Sequence, residues 1–168
     1  MTLANDLLAQ AHHLVGRERR RPRQASLRRA VSTAYYALFH LLIREPSHRL
    51  VRDSRMQEVV SRVFIHTEMS KASRSFSGGT LPQRFVGIIG GQPLPHALRN
   101  VANAFVELQQ ARHEADYNVA KSFSRAEVQS LIDQAEQAFQ DWQAVRRTTA
   151  GRLYLVCLLL WERLDKIK

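Results

Sequence analysis

The chain has 168 residues, with 45% hydrophobic and 24% charged side chains, 5 prolines and 7 glycines; this excludes a disordered tract or a repetitive fibre and fits one globular domain, with or without an appendage. The charge is the unusual quantity: 25 Lys+Arg against 15 Asp+Glu give a net charge of +10, which points to a polyanionic partner. A single cysteine, Cys157, excludes an intrachain disulfide and a multi-cysteine zinc site and fits a reducing, cytoplasmic setting. No run approaches the ~18 apolar residues of a membrane span. Residues 1–16, interrupted by Asp6, His12 and His13, lack the layout of a secretory signal, so no membrane association is expected.

The excess charge is unevenly spread. Residues 1–55 hold 11 basic and 4 acidic side chains, residues 56–144 hold 8 and 9, and residues 145–168 hold 6 and 2. Much of it is Arg17, Arg19, Arg20, Arg21, Arg23, Arg28 and Arg29, and the planar donor fork of arginine suits phosphate better than lysine does. Such a run serves either to hold a nucleic-acid backbone or simply as a solvated, solubilising arm.

Taken in order, Leu3, Leu7, Leu8, Ala11, Leu14 and Val15 follow helical spacing and predict a first amphipathic helix ending near Gly16. The Arg-rich link with Pro22 follows. Leu27, Ala30, Val31, Ala34, Leu38, Leu41 and Leu42 form one stripe of a second helix over residues 24–45, with Pro46 as its stop. Met56, Val59, Val60, Val63 and Phe64 predict a helix over 54–68, with a short continuation to 76. Residues 77–95 gather Gly78, Gly79, Pro82, Gly90, Gly91, Pro93 and Pro95 and read as a long loop. Those glycines fit neither GxxxxGK[ST] nor GxGxxG, so no phosphate cradle is expected. A helix over 96–119 and another from the capping box of Ser124 and Glu127 to about Val145 complete the main body. The apolar run Leu153 to Trp161 reads as a last helix, packed on the bundle or on a partner subunit. The expected fold is all-α, an up-and-down bundle of five or six helices.

Two polar lines stand out. Ser32, Tyr36 and His40 share one side of the second helix, with Arg28 and Arg29 a turn earlier, at the end that favours anions. Arg112 and Asp116 are helical neighbours able to pair, and His113 and Tyr117 form the adjacent pair. Cleavage of RNA by internal attack of the 2′-hydroxyl needs a guanidinium to hold the phosphate and a group of near-neutral pKa to move a proton. Arg112 and His113 are of those types, Tyr117 is a hydrogen-bond donor and Asp116 an orienting carboxylate. The plainer alternatives are a helix–helix seam for Tyr36 and His40 and an ordinary exposed Arg–Asp pair. The seven histidines show no H-x-x-x-H or HExxH spacing, so no metal and no cofactor are expected.

The segments "RRAVSTAYYALFH" (Arg28 to His40) and "ELQQARHEADYN" (Glu107 to Asn118) together resemble the HEPN superfamily, small α-helical domains of prokaryotic toxin–antitoxin, phage-defence and CRISPR-associated systems. The resemblance implies an HEPN-like helical domain over residues 1–145, with 146–168 as an added apolar helix. It also implies RNA as partner and a homodimer. Many members are metal-independent endoribonucleases whose site forms across the dimer from an Arg, a polar residue, three intervening residues and a His. Arg112 matches the Arg and His113 the polar residue, whereas Tyr117 stands where the motif has its histidine. Tyrosine is a poor general base at neutral pH, so either His113 takes over proton transfer or the chain binds without cleaving. In some members a nucleotidyltransferase antitoxin modifies a tyrosine near this motif, which makes Tyr117 a target and implies the second reading, a non-catalytic helical module paired with such an enzyme.

Overall fold

A computed structural model describes residues 2–79 and 81–166. Among them the chain forms eight helices and no strand: α1 (Leu3–Gly16), α2 (Gln24–Leu50), α3 (Ser54–Val63), α4 (His66–Ser77), α5 (Gln83–Ile88), α6 (His96–Tyr117), α7 (Arg125–Val145) and α8 (Thr149–Asp165). The all-α expectation holds. The count is eight, not five or six, because one expected helix is split in two and the expected loop holds a further helix; a third difference is one of length.

Pro46 does not stop α2, which runs on to Leu50. Proline removes one backbone donor and crowds the preceding turn, but that turn is braced from outside. Glu45 accepts from Arg49 at 2.7 Å and from Arg146 at 3.0 Å, and Ser47 donates to the carbonyl of Ile43 at 2.7 Å. The reading of 54–76 as one helix with a continuation fails at Phe64 and Ile65, which are extended. Phe64 is buried, whereas α3 before it has no buried residue and exposes Met56, Val59 and Val63. The long loop over 77–95 contains α5, six residues whose Phe85 is buried. The glycines that suggested a loop mark its ends, with positive φ at Gly79, Gly90 and Gly91, where other residues are strained.

The chain divides into two compact units. The first holds the described residues up to Leu41 together with Ala104–Phe139. Its buried side chains include Ala11 and Leu14 of α1, Leu27, Val31, Tyr35 and Leu38 of α2, Phe105 and Leu108 of α6, and Val128 and Ile132 of α7. Tyr35 and Phe105 stand 5.5 Å apart, ring to ring, within the range of favourable aromatic pairs. Leu3, read as part of the apolar stripe of α1, is instead 58% exposed.

The second unit holds the described residues of Leu42–Asn103 and those from Gln140 on. Here α8 packs on α4. Phe76 and Tyr154 lie 4.9 Å apart, and the Tyr154 hydroxyl shares a hydrogen bond of 2.7 Å with Ser73, so a buried phenol keeps a partner. Cys157 is buried as well, which pushes its thiol up to about 12 and leaves it inert. No helix of the described residues is long and apolar enough to cross a membrane.

The turn from α7 into α8 depends on Gly151. A Cβ there would lie 2.2 Å from the Val145 carbonyl oxygen, a backbone atom that cannot swing aside. Gly151→Ala is therefore expected to destabilise the protein by ~2 kcal/mol through forced backbone shifts, lowering Tm by about 5 °C. Thermal unfolding checks it; an unchanged Tm would contradict the close approach.

Candidate functional site

The two polar lines meet within the first unit. On α6, the spacing of Arg112 and Asp116 places them one turn apart, and Arg112 Nε lies 2.7 Å from Asp116 Oδ2. The contact is a close charge pair rather than an aligned hydrogen bond. Arg112 Nη2 donates to the Tyr36 hydroxyl of α2 at 3.1 Å. Ser32, one turn before Tyr36 and almost wholly buried, donates to Asp116 Oδ1 at 2.6 Å. Both carboxylate oxygens of Asp116 are thereby engaged, one by Ser32 and one by Arg112.

The guanidinium is also flanked by aromatic rings, with its carbon 5.6 Å from the ring centre of Tyr36 and 5.8 Å from that of Tyr117, distances at which a cation is attracted to a ring face. Burial works against its charge, but Tyr36, Asp116, Tyr117 and Tyr35 outweigh that and hold its pKa above the ordinary arginine value. Arg112 is thus a fixed, charged donor with 23% of its side chain exposed, and its Nη1 makes no hydrogen bond among the described residues. Such a group suits an anion with planar or tetrahedral oxygens. His113 and Tyr117 are exposed beside it, their rings 5.1 Å apart.

The arginines of the sequence reading separate into two kinds. Arg28 is committed to the end of α6: its guanidinium donates to the carbonyls of Ala115 at 2.8 Å and Asn118 at 2.9 Å, and also to those of Glu114 and Lys121. These include carbonyls that a helix end leaves without intrahelical partners. Arg28 therefore builds the site rather than offering itself to a ligand. Arg29 is exposed, as are Arg17, Arg19, Arg20, Arg21 and Arg23 between α1 and α2. That link is tied down at Glu18, whose carboxylate accepts from Ser26 at 2.8 Å and is held below the ordinary glutamate range by that bond. Arg125 of α7 donates to the carbonyls of Glu18 and Arg19.

His40 lies apart from Arg112, its ring 6.5 Å from that of Tyr36. It borders an open groove of about 410 Å³ between α1 and α2, lined also by Leu3, Leu7, Gln10, Arg29, Ser32, Thr33 and Tyr36. Burial holds the His40 pKa below the ordinary histidine value. Among the described residues no group of three or more His, Cys, Asp and Glu is placed to hold a metal ion.

Several contributors escape sequence reasoning. Gln24 clasps the backbone of Phe123, donating to its carbonyl at 2.8 Å and accepting from its N–H at 2.9 Å, and Arg125 anchors the basic link. Only the fold reveals such long-range pairs. Gln10 had a local signal: it follows Leu3 and Leu7 at i, i+4, i+7 and so shares their helix face. No family model, no curated protein and no solved structure matches this chain.

Arg28→Ala leaves carbonyls at the end of α6 unpaired and is expected to cost about 2 kcal/mol of stability, whereas Arg29→Ala is expected to leave stability unchanged; chemical denaturation of both variants checks this. The lowered pKa of His40 means that the unfolded chain binds its proton first as pH falls. Its contribution to stability is present above the unfolded histidine value of ~6.5 and is lost as pH drops toward its folded pKa. His40→Gln is expected to show a shallower loss of stability between pH ~7.5 and ~5.5 than wild type, measured by denaturant midpoints; equal slopes would contradict it.

Proposed function

We propose that this chain is an HEPN-like, RNA-binding protein that acts as a homodimer, with Arg112 and His113 carrying a metal-independent cleavage of RNA. The observation that carries the reading is the braced guanidinium. Arg112 is held by Asp116 and Tyr36 and stands beside the exposed His113 and Tyr117, on the two segments that resemble the superfamily.

In this reaction the RNA 2′-hydroxyl loses its proton, its oxygen bonds to the adjacent phosphorus, and the bond from phosphorus to the 5′-oxygen breaks. The products are a 2′,3′-cyclic phosphate and a 5′-hydroxyl. Arg112 steadies the negative charge that grows on the phosphoryl oxygens. His113 moves the proton, and Tyr117 donates a hydrogen bond from the position where the superfamily motif has histidine. Arg29 and the arginines of the link from Arg17 to Arg23 guide the RNA backbone.

A second reading draws on the exposure of Tyr117, 65% of whose surface meets solvent. A hydroxyl so accessible suits a non-catalytic module whose tyrosine is modified by a partner nucleotidyltransferase.

Purified, metal-free protein incubated with mixed RNAs is expected to release products with 2′,3′-cyclic phosphate ends, and Arg112→Ala is expected to slow release by roughly a hundredfold. RNA affinity should fall steeply between low and moderate salt. Cleavage by Arg112→Ala at the wild-type rate would overturn the proposal, as would RNA affinity indifferent to salt. Binding without cleavage favours the second reading, which is lost if His113→Ala abolishes a cleavage that the wild type performs alone.

A further inference from the structure

The groove between α1 and α2 shares Ser32 and Tyr36 with the Arg112 cluster. Its volume of about 410 Å³ lies within the ~300–1,000 Å³ usual for small-ligand sites. Its lining is graded. Leu3 and Leu7 supply apolar surface, with Leu3 exposed and Leu7 half-buried. Tyr36 and His40 supply aromatic rings, and burial disfavours the charged form of the imidazole. Gln10 contributes an amide and Arg29 an exposed cation.

This is the set that recognises one nucleotide: flat apolar and aromatic surface for a base, one donor–acceptor pair for its edge, one cation for a phosphate. A glutamine amide pairs in bidentate fashion with the adjacent donor and acceptor of adenine. We propose that the groove seats an adenine base, with Gln10 on the base edge, Tyr36 and Leu7 against the ring, and Arg29 on a phosphate. Resting on the RNA-binding reading, it assigns that adenine to the strand whose neighbouring phosphate Arg112 holds. The Tyr36 hydroxyl, bonded to Arg112, then links the base-selecting groove to the phosphate site.

Affinities of short oligo(A) and oligo(U) RNAs and of free AMP, measured for wild type, Gln10→Ala and Arg112→Ala at one ionic strength, test it. Gln10 is exposed, so its substitution leaves the fold intact. Wild type is expected to prefer oligo(A) over oligo(U) by roughly tenfold. Gln10→Ala should bring that ratio near unity with oligo(U) affinity unchanged, and Arg112→Ala should weaken both RNAs while keeping the ratio. AMP bound as tightly as oligo(A), and lost in Gln10→Ala, identifies a free nucleotide as the ligand and overturns the assignment to a strand. Equal affinity for both RNAs, or a ratio unaltered by Gln10→Ala, overturns the groove proposal and leaves the RNA-binding reading standing. Failure to bind any RNA overturns both.

Discussion

The Arg112 guanidinium is held between Asp116 on its own helix and Tyr36 on another, and the rest of the site depends on this. A surface Arg–Asp pair alone would be loose and worth little. Here Ser32, almost wholly buried, fixes Asp116 from the other side, so the carboxylate cannot swing away and the guanidinium has one favoured place. Preorganisation of this kind gives a charged donor its leverage on a developing negative charge, because no reorientation has to accompany the reaction. It also explains why α2 carries a polar line beside its apolar stripe. The apolar positions build the core, while Ser32 and Tyr36 reach toward α6.

The arginine-rich composition has two physical uses. Arg28 ends α6 by gathering its carbonyls, and Arg125 and Arg146 tie down the basic link and the turn before Pro46. These guanidinium groups are spent on backbone carbonyls or a carboxylate. Arg29 and the arginines of the link remain exposed. A net charge is therefore a poor count of ligand-binding groups: part of the arginine content does structural work.

The periodic helices were legible because tertiary packing agreed with their pattern. The stripe of α2, the capping box of Ser124 and Glu127 and the pairing of Arg112 with Asp116 all follow from spacing within one element, and the contacts match. Illegible features depended on distant residues. Pro46 lies inside a helix because Glu45 is braced by Arg146, a hundred residues on. Phe64 ends α3 by turning inward, a choice that periodicity alone does not announce. In the candidate site, spacing shows that Arg112 and Asp116 can pair, but not that Ser32 and Tyr36 of α2 are the groups that reach them. Sequence alone gave Arg28 to the ligand when the fold gives it to α6. Gln10 is one ordinary glutamine on an amphipathic helix until a groove is seen beside it.

The role proposed for Arg112, braced by Asp116, is to hold an RNA phosphate. A crystal structure with a short oligonucleotide methylated at every 2′-oxygen, which binds without being cleaved, tests it most directly. A phosphate oxygen is expected within ~3 Å of an Arg112 Nη atom, with the Asp116 and Tyr36 contacts retained. An oligonucleotide bound elsewhere on the protein, with no phosphate at Arg112, would contradict it.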